Sequence, residues 1–281
     1  FHTGKEGSVT DDQNVLPGLV VSVDWLVAHL DDPALRLLDI RAADAYAESH
    51  LPGAVHLELP EITGIRDGVP GMLIPAADFA ARMGQAGVDE TKLVILYDDN
   101  WGMAAARVLW ALTRFGFTQG AILNGGWDRW QEQDYPQSSA VTSPVPTRFP
   151  MNAADEQLAE RAWLLAQAGR ADLVLLDTRT PKEYEQGHLP QAINWDWMNA
   201  VPVGSWELMR PADELRTELA TLGVTPDKEI VTYCRSGVRA AHTYVVLRAL
   251  GFPRVRNYDG SWLEWSHYLA AETAGELEKA S

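Results

Sequence analysis

The sequence predicts an α/β protein of two similar domains, each a central parallel sheet flanked by helices. Three observations carry this. Blocks of sequence recur in the same order at a nearly constant offset. Within each copy, short apolar runs alternate with stretches of helical spacing. A segment rich in Ser, Thr and Pro separates the copies.

The repeat is seen in three places. LLDIRAADAYAESHLPGAVHLEL (37–59) matches LLDTRTPKEYEQGHLPQAINWDW (175–197) at offset 138, pairing Asp39 with Asp177 and His50 with His188. KLVILYDD (92–99) matches EIVTYCRS (229–236) at offset 136. FGFTQGAILNGGWDRW (115–130) matches LGFPRVRNYDGSWLEW (250–265) at offset 135. The drop from 136 to 135 falls between Tyr97 and Gly125, so the loop there is one residue longer in the first copy.

Each element follows from local pattern. LRLLDI and LVLLD are short apolar runs suited to buried strands, as are LVILY and EIVTY. PAADFAARMGQAGV and PADELRTELATLGV have helical spacing and end at Gly. GMAAARVLWALTRFGF and VRAAHTYVVLRALGF read as helices of about four turns, each closed by a C-terminal Gly. GAILNG and RVRNYDG supply the last strands. Strand–helix–strand alternation places chemistry in the loops at the C-terminal strand ends. The domains are set at 18–136 and 157–272, with an extended linker at 137–156. Residues 1–17 read as a processed, disordered polar extension and 273–281 as a tail.

Composition narrows function. The net charge of -16 argues against nucleic-acid and anionic-membrane partners. No apolar run reaches the length of a membrane span. A single cysteine, Cys234, excludes internal disulfides and multi-thiolate metal sites, and the seven histidines show no metal-binding spacing. No metal or other cofactor is expected. The absence of disulfides fits the cytoplasm, with the periplasm open if a signal peptide has been removed.

Cys234 lies where a strand ends and a helix begins. Loop and first-turn amides can converge on its sulfur, and Arg235 and Arg239 add positive charge. Such settings favour the nucleophilic thiolate. Gly237 allows a sharp turn and close backbone approach. A buried, inert thiol is the plain alternative. Ser236 has two readings, a cap for the following helix or a donor to a transferred group. The first copy is an internal control, because Asp98 stands in place of Cys234 and Asp99, Asn100, Trp101 and Gly102 follow. That acidic loop is expected to hold no anion. Asp39/Asp177, Arg41/Arg179, His50/His188 and Trp127/Trp262 recur in both copies, so their default reading is structural. His242 reads as packed, and Trp195 and Trp197 as core or cleft wall.

These pieces together (LLDTR…EY…GHLP…AIN, TYCRSGVRA and YDGSWLEW) resemble the tandem-domain rhodanese sulfurtransferases over about 240 residues. The resemblance implies two rhodanese-like domains, an inactive first copy and an active second copy. It implies a Cys234 persulfide and a substrate pocket from Arg235, Ser236, Gly237, Val238 and Arg239. It also makes Arg179, of the DxR motif, a candidate for the substrate anion. The donor is a small anionic sulfur compound; the acceptor is cyanide or a thiol, a thioredoxin-like protein among the candidates. A monomer is expected, since two domains already build one cleft.

Three chemistries compete. Sulfur transfer needs only the cysteine and an anion cradle. Related cysteine phosphatases use C-x5-R, whereas Cys234 to Arg239 is C-x4-R, a smaller loop. The third reading is a non-catalytic sulfur-relay or binding module. Within sulfur transfer, CRSGVR mixes the basic CRKGV type of thiosulfate enzymes with the CGSGVT type of 3-mercaptopyruvate enzymes. Mercaptopyruvate enzymes also pair the loop serine with an acidic residue and a histidine of the first domain. Glu58 matches the acid, but Gly71 stands at the histidine. Thiosulfate is therefore the favoured donor and 3-mercaptopyruvate the alternative.

Overall fold

The computed structural model describes residues 16–153 and 155–280. The first domain runs β1 (Val20–Val21), α1 (Val23–Ala28), β2 (Leu35–Asp39), α2 (Ala43–Glu48), β3 (Val55–His56), β4 (Thr63–Arg66), β5 (Val69–Leu73), α3 (Ala76–Gln85), β6 (Leu93–Tyr97), α4 (Met103–Arg114), β7 (Gly120–Leu123) and α5 (Gly126–Glu132). The second runs β8 (Leu158–Ala159), α6 (Arg161–Ala166), β9 (Leu173–Asp177), α7 (Pro181–Glu185), β10 (Ile193–Asn194), α8 (Ala212–Thr221), β11 (Glu229–Tyr233), α9 (Val238–Ala249), β12 (Val255–Tyr258) and α10 (Ser261–Ala280).

The two sheets have one topology, β1-β7-β6-β2-β3 and β8-β12-β11-β9-β10, with every pair parallel. Register carries the repeat: Leu37 faces Ile95 and Leu175 faces Val231. The central strands β6 and β11 are buried along their whole length, which is why they read as continuous apolar runs. Residues 1–15 lie outside the described residues, while Leu16 packs partly against the first-domain core. α10 continues through the stretch expected to be a tail. The linker is extended but docked: Ser138 exchanges backbone hydrogen bonds with His50, and Phe149 is buried against Phe79 and Phe117.

One element had no counterpart in the sequence reading. β4 and β5 form an antiparallel hairpin turning at Asp67–Gly68, both with positive φ. An Asp-Gly pair favours this tight reversal, because Gly pays no Cβ penalty there. The equivalent second-copy segment lacks such a pair and carries no described strand.

The domains interlock about an approximate two-fold axis. α4 packs on α9, and one apolar cluster runs from Leu38 and Phe79 through Leu109 to Val245 and Phe252. Each domain sends the segment before its α3 or α8 helix onto the other domain's loop. Leu73 N–H donates to Asp259 Oδ2 at 3.1 Å, and Leu208 N–H donates to Asn124 Oδ1 at 2.9 Å. Both pairs are related by the offset of 135. The first domain therefore forms part of the wall around Cys234.

Candidate active site

Cys234 follows β11 directly and is buried, 1% exposed. Its N–H donates to Ser261 Oγ at 3.1 Å, and its carbonyl accepts from Trp262 N–H at 3.0 Å. Ser261 is fully buried, has φ 51°, and donates onward to the Tyr258 carbonyl at 2.7 Å. A non-glycine residue at such a φ carries strain of about 1 kcal/mol or more. Here the conformation puts the hydroxyl under the Cys234 amide.

The loop after Cys234 ends at Gly237, which caps α9 with φ 80°. Only glycine fits: a Cβ there would lie 2.7 Å from Arg107 Nη1 and 2.9 Å from the Asp259 carbonyl oxygen. Ser236 is therefore not the helix cap, which removes one of its two readings. It faces the first domain, where a Cβ on Gly71 would lie 3.2 Å from Ser236 Cβ. Gly71 thus sits where a partner for Ser236 would have to stand, and it offers no side chain. Glu58 does not reach Ser236. Its carboxylate accepts from Ala43 N–H at 2.8 Å and from the turn that follows it.

The two loop arginines differ. Arg235 is exposed, and its guanidinium pairs with no carboxylate among the described residues. Arg239, in the first turn of α9 and five residues after Cys234, makes a bidentate pair with Glu183 of α7 at 2.7 and 2.8 Å. The arginine holds the Glu183 carboxyl down at about 2, and Glu183 in turn raises the Arg239 pKa. Val238, the first residue of α9, is half-buried.

Arg179 does not join this group. Its Nε and Nη2 bind Asp177, Nη2 also donates to the Gly187 carbonyl at 2.7 Å, and the guanidinium stacks 4.7 Å from the Trp262 ring. Arg41 makes the same set with Asp39, Ser49 and Trp127 in the copy without cysteine. The geometry makes Arg179 a strut between β9 and the turn after α7. His242 is fully buried, with Nε2 on the Leu208 carbonyl, and burial lowers its pKa to about 4. Trp195 donates to Glu218 and Trp197 packs on His242, so both belong to the core.

The first-copy loop has its own occupant, the carboxylate of Asp98. Oδ1 accepts from the N–H groups of Asn100 and Gly102, and Oδ2 from those of Ala104 and Ala105, all at 2.8–2.9 Å. Burial pushes this carboxyl upward. Yet each oxygen already accepts two N–H bonds, so a carboxylic proton would point at an N–H donor; the geometry requires the carboxylate. By the offsets of 136 and 135, the corresponding second-copy amides are those of Ser236, Gly237, Arg239 and Ala240.

Sequence reasoning missed four residues here. Ser261 and Glu183 had a signal, since their first-copy counterparts are Gly126 and Ala45. Asp259 and Arg107 differ from their counterparts as well, Asn124 and His242, but nothing in the chain marked the two as partners. Fully buried Arg107 of α4 donates Nη2 to Asp259 Oδ1 and to the Gly71 carbonyl, tying the first domain to the back of the loop.

Comparison with known proteins fits this duplicated architecture. The rhodanese-like domain model matches the chain twice, over residues 22–133 and 160–268. The chain belongs to the rhodanese family. Among its rhodanese relatives is a thiosulfate sulfurtransferase of Azotobacter vinelandii, 36% identical, with 92% of this chain and 97% of the relative aligned. A 3-mercaptopyruvate sulfurtransferase of Escherichia coli is 30% identical over 87% of this chain and 94% of its own length. The crystal structure of the rhodanese-fold protein SseA from Escherichia coli superposes with a TM-score of 0.79 at 30% identity, covering 87% of this chain and 99% of that one.

Proposed function

We propose that the protein transfers the outer sulfur of thiosulfate to a thiol or cyanide through a persulfide on Cys234. It is a sulfurtransferase of the rhodanese family, with sulfur donor and acceptor substrates. The internal repeat carries the reading: in the first copy four amides bind a carboxylate, and the repeat offsets put Cys234, at the end of β11, in the place of that carboxylate's residue.

The Cys234 thiolate attacks the outer sulfur of thiosulfate. A new S–S bond forms, the S–S bond of thiosulfate breaks, and sulfite leaves with the electron pair. The persulfide anion then rests among the amides of Ser236, Gly237, Arg239 and Ala240, with Val238 N–H in the same helical turn. Cyanide or a thiolate attacks the outer sulfur, and the Cys234 thiolate is restored as leaving group. Exposed Arg235 meets the incoming dianion, and Arg239 faces the sulfur. Val238, Gly237 and Ser236 complete the wall with Gly71. A thioredoxin-like dithiol protein is one candidate for the thiol acceptor.

The alternative donor, 3-mercaptopyruvate, is disfavoured by Gly71. The position that touches Ser236 has no side chain to hydrogen-bond it or a substrate carboxylate. Initial rates with each donor, using cyanide as acceptor, test the assignment. A higher kcat/KM for thiosulfate, reduced in Arg235→Ala, is expected. A higher value for 3-mercaptopyruvate would assign that donor instead.

A further inference from the structure

The two copies separate scaffold from function residue by residue. The Asp–Arg strut, its Trp platform and the tyrosine beneath it occur in both, so none of them requires a cysteine. The Glu183–Arg239 pair occurs only with Cys234. At the offsets that align the repeats, Glu183 falls on Ala45 and Arg239 on Ala104, so the copy carrying Asp98 lacks both partners.

The pair is built with little freedom. α7 begins at Pro181 and is capped by Thr180, which donates its backbone N–H and its hydroxyl to Glu183 Oε2 at 3.1 and 2.9 Å. Both carboxylate oxygens are then aimed at Arg239, which lies in the first turn of α9, the helix that opens directly after the Cys234 loop. A bidentate carboxylate fixes the plane of a guanidinium that would otherwise sample many rotamers. The pair is also neutral as a unit. It adds little long-range attraction for an anion, and that task falls to unpaired Arg235.

We propose that Glu183 is a positioning residue for sulfur transfer. It holds Arg239 against Cys234, where the guanidinium stabilises charge on the sulfur as it attacks and leaves, while Arg235 captures the donor. This rests on the reading of Cys234 as nucleophile. The roles divide by kinetic parameter: disturbing Glu183 lowers kcat, and disturbing Arg235 raises KM.

The test uses the full chain and Glu183→Gln, because glutamine preserves the capping box while removing the charge. Two readouts are taken: steady-state kinetics with thiosulfate, and the rate of alkylation by neutral iodoacetamide, which reports Cys234 alone in a one-cysteine protein. Losing a charge-assisted bidentate contact is expected to slow both kcat and alkylation about tenfold, with KM changed by less than about threefold. Glu183→Gln should add nothing further in an Arg239→Ala background. Arg235→Ala should raise KM more than it lowers kcat. Faster or unchanged alkylation in Glu183→Gln would overturn the proposal, since the carboxylate would then be only a counter-charge. Additive losses in the double variant would overturn it too, because Glu183 would not be acting through Arg239. If wild type does not react with thiosulfate, the donor assignment falls, and the alkylation comparison still decides the role of Glu183.

Discussion

Asp98→Ala should be among the most destabilising substitutions in the protein, although it lies in the domain without the nucleophile. The carboxylate is buried and accepts four backbone N–H bonds. Alanine leaves all four donors without a partner. An unsatisfied buried donor costs about 1–3 kcal/mol. Water re-entering the loop recovers part of this, leaving a net loss of about 3–5 kcal/mol, as for a broken buried ion pair. At about 2–4 °C per kcal/mol for a domain pair of this size, Tm should fall by roughly 10 °C. Thermal unfolding followed by circular dichroism reads this directly. Asp98→Asn should not rescue it, since its NH2 would face two N–H donors. Formate should restore part of the lost Tm in Asp98→Ala and none in wild type, by filling the vacated cradle. A loss below about 1 kcal/mol, or no formate effect, would refute the claim that this loop is built to hold an anion.

Further outcomes follow from the same geometry. Ser261→Gly relieves positive-φ strain of about 1 kcal/mol, which offsets part of the cost, about 1–3 kcal/mol, of leaving the buried Cys234 N–H without its acceptor, so stability falls modestly while turnover falls. Ser261→Ala loses the bond and keeps the strain, so its Tm should lie below that of Ser261→Gly; the reverse order would remove the strain argument. Glu183 has a folded pKa of about 2 against an ordinary 4.5, so its stabilising effect is fully present above pH 4.5 and lost as pH falls towards 2. Urea midpoints of wild type and Glu183→Gln should therefore converge across that window, and a gap that stays constant would contradict the pair's role.

Much of the architecture was legible because duplication makes a sequence its own alignment. The offsets of 138, 136 and 135 located both sheets, the paired long helices and the extra residue in the first-copy loop. Local chemistry was legible as well: Gly237 as the turn and Cys234 at the strand end. What escaped was set by contacts between distant segments. Glu183 meets Arg239 across 56 residues of chain, and Asp259 meets Leu73 across 186. Neither separation leaves a periodic trace. The hairpin leaves little trace in the sequence, because its one local signal is the Asp67–Gly68 pair, and it carries Gly71 to Ser236. The role of Asp98 was not legible from its charge, because that role depends on where the side chain points. Its carboxylate points inward and is itself the bound anion. The Arg179 strut was legible in the repeat itself, since Arg41 holds the same position beside Asp39.

If Cys234 carries the transferred sulfur, intact mass after incubation with thiosulfate shows it. Wild type should gain one sulfur atom, about 32 Da, lost again on adding cyanide, and Cys234→Ala should gain nothing. No gain in wild type with thiosulfate or 3-mercaptopyruvate, or an equal gain in Cys234→Ala, would contradict the account.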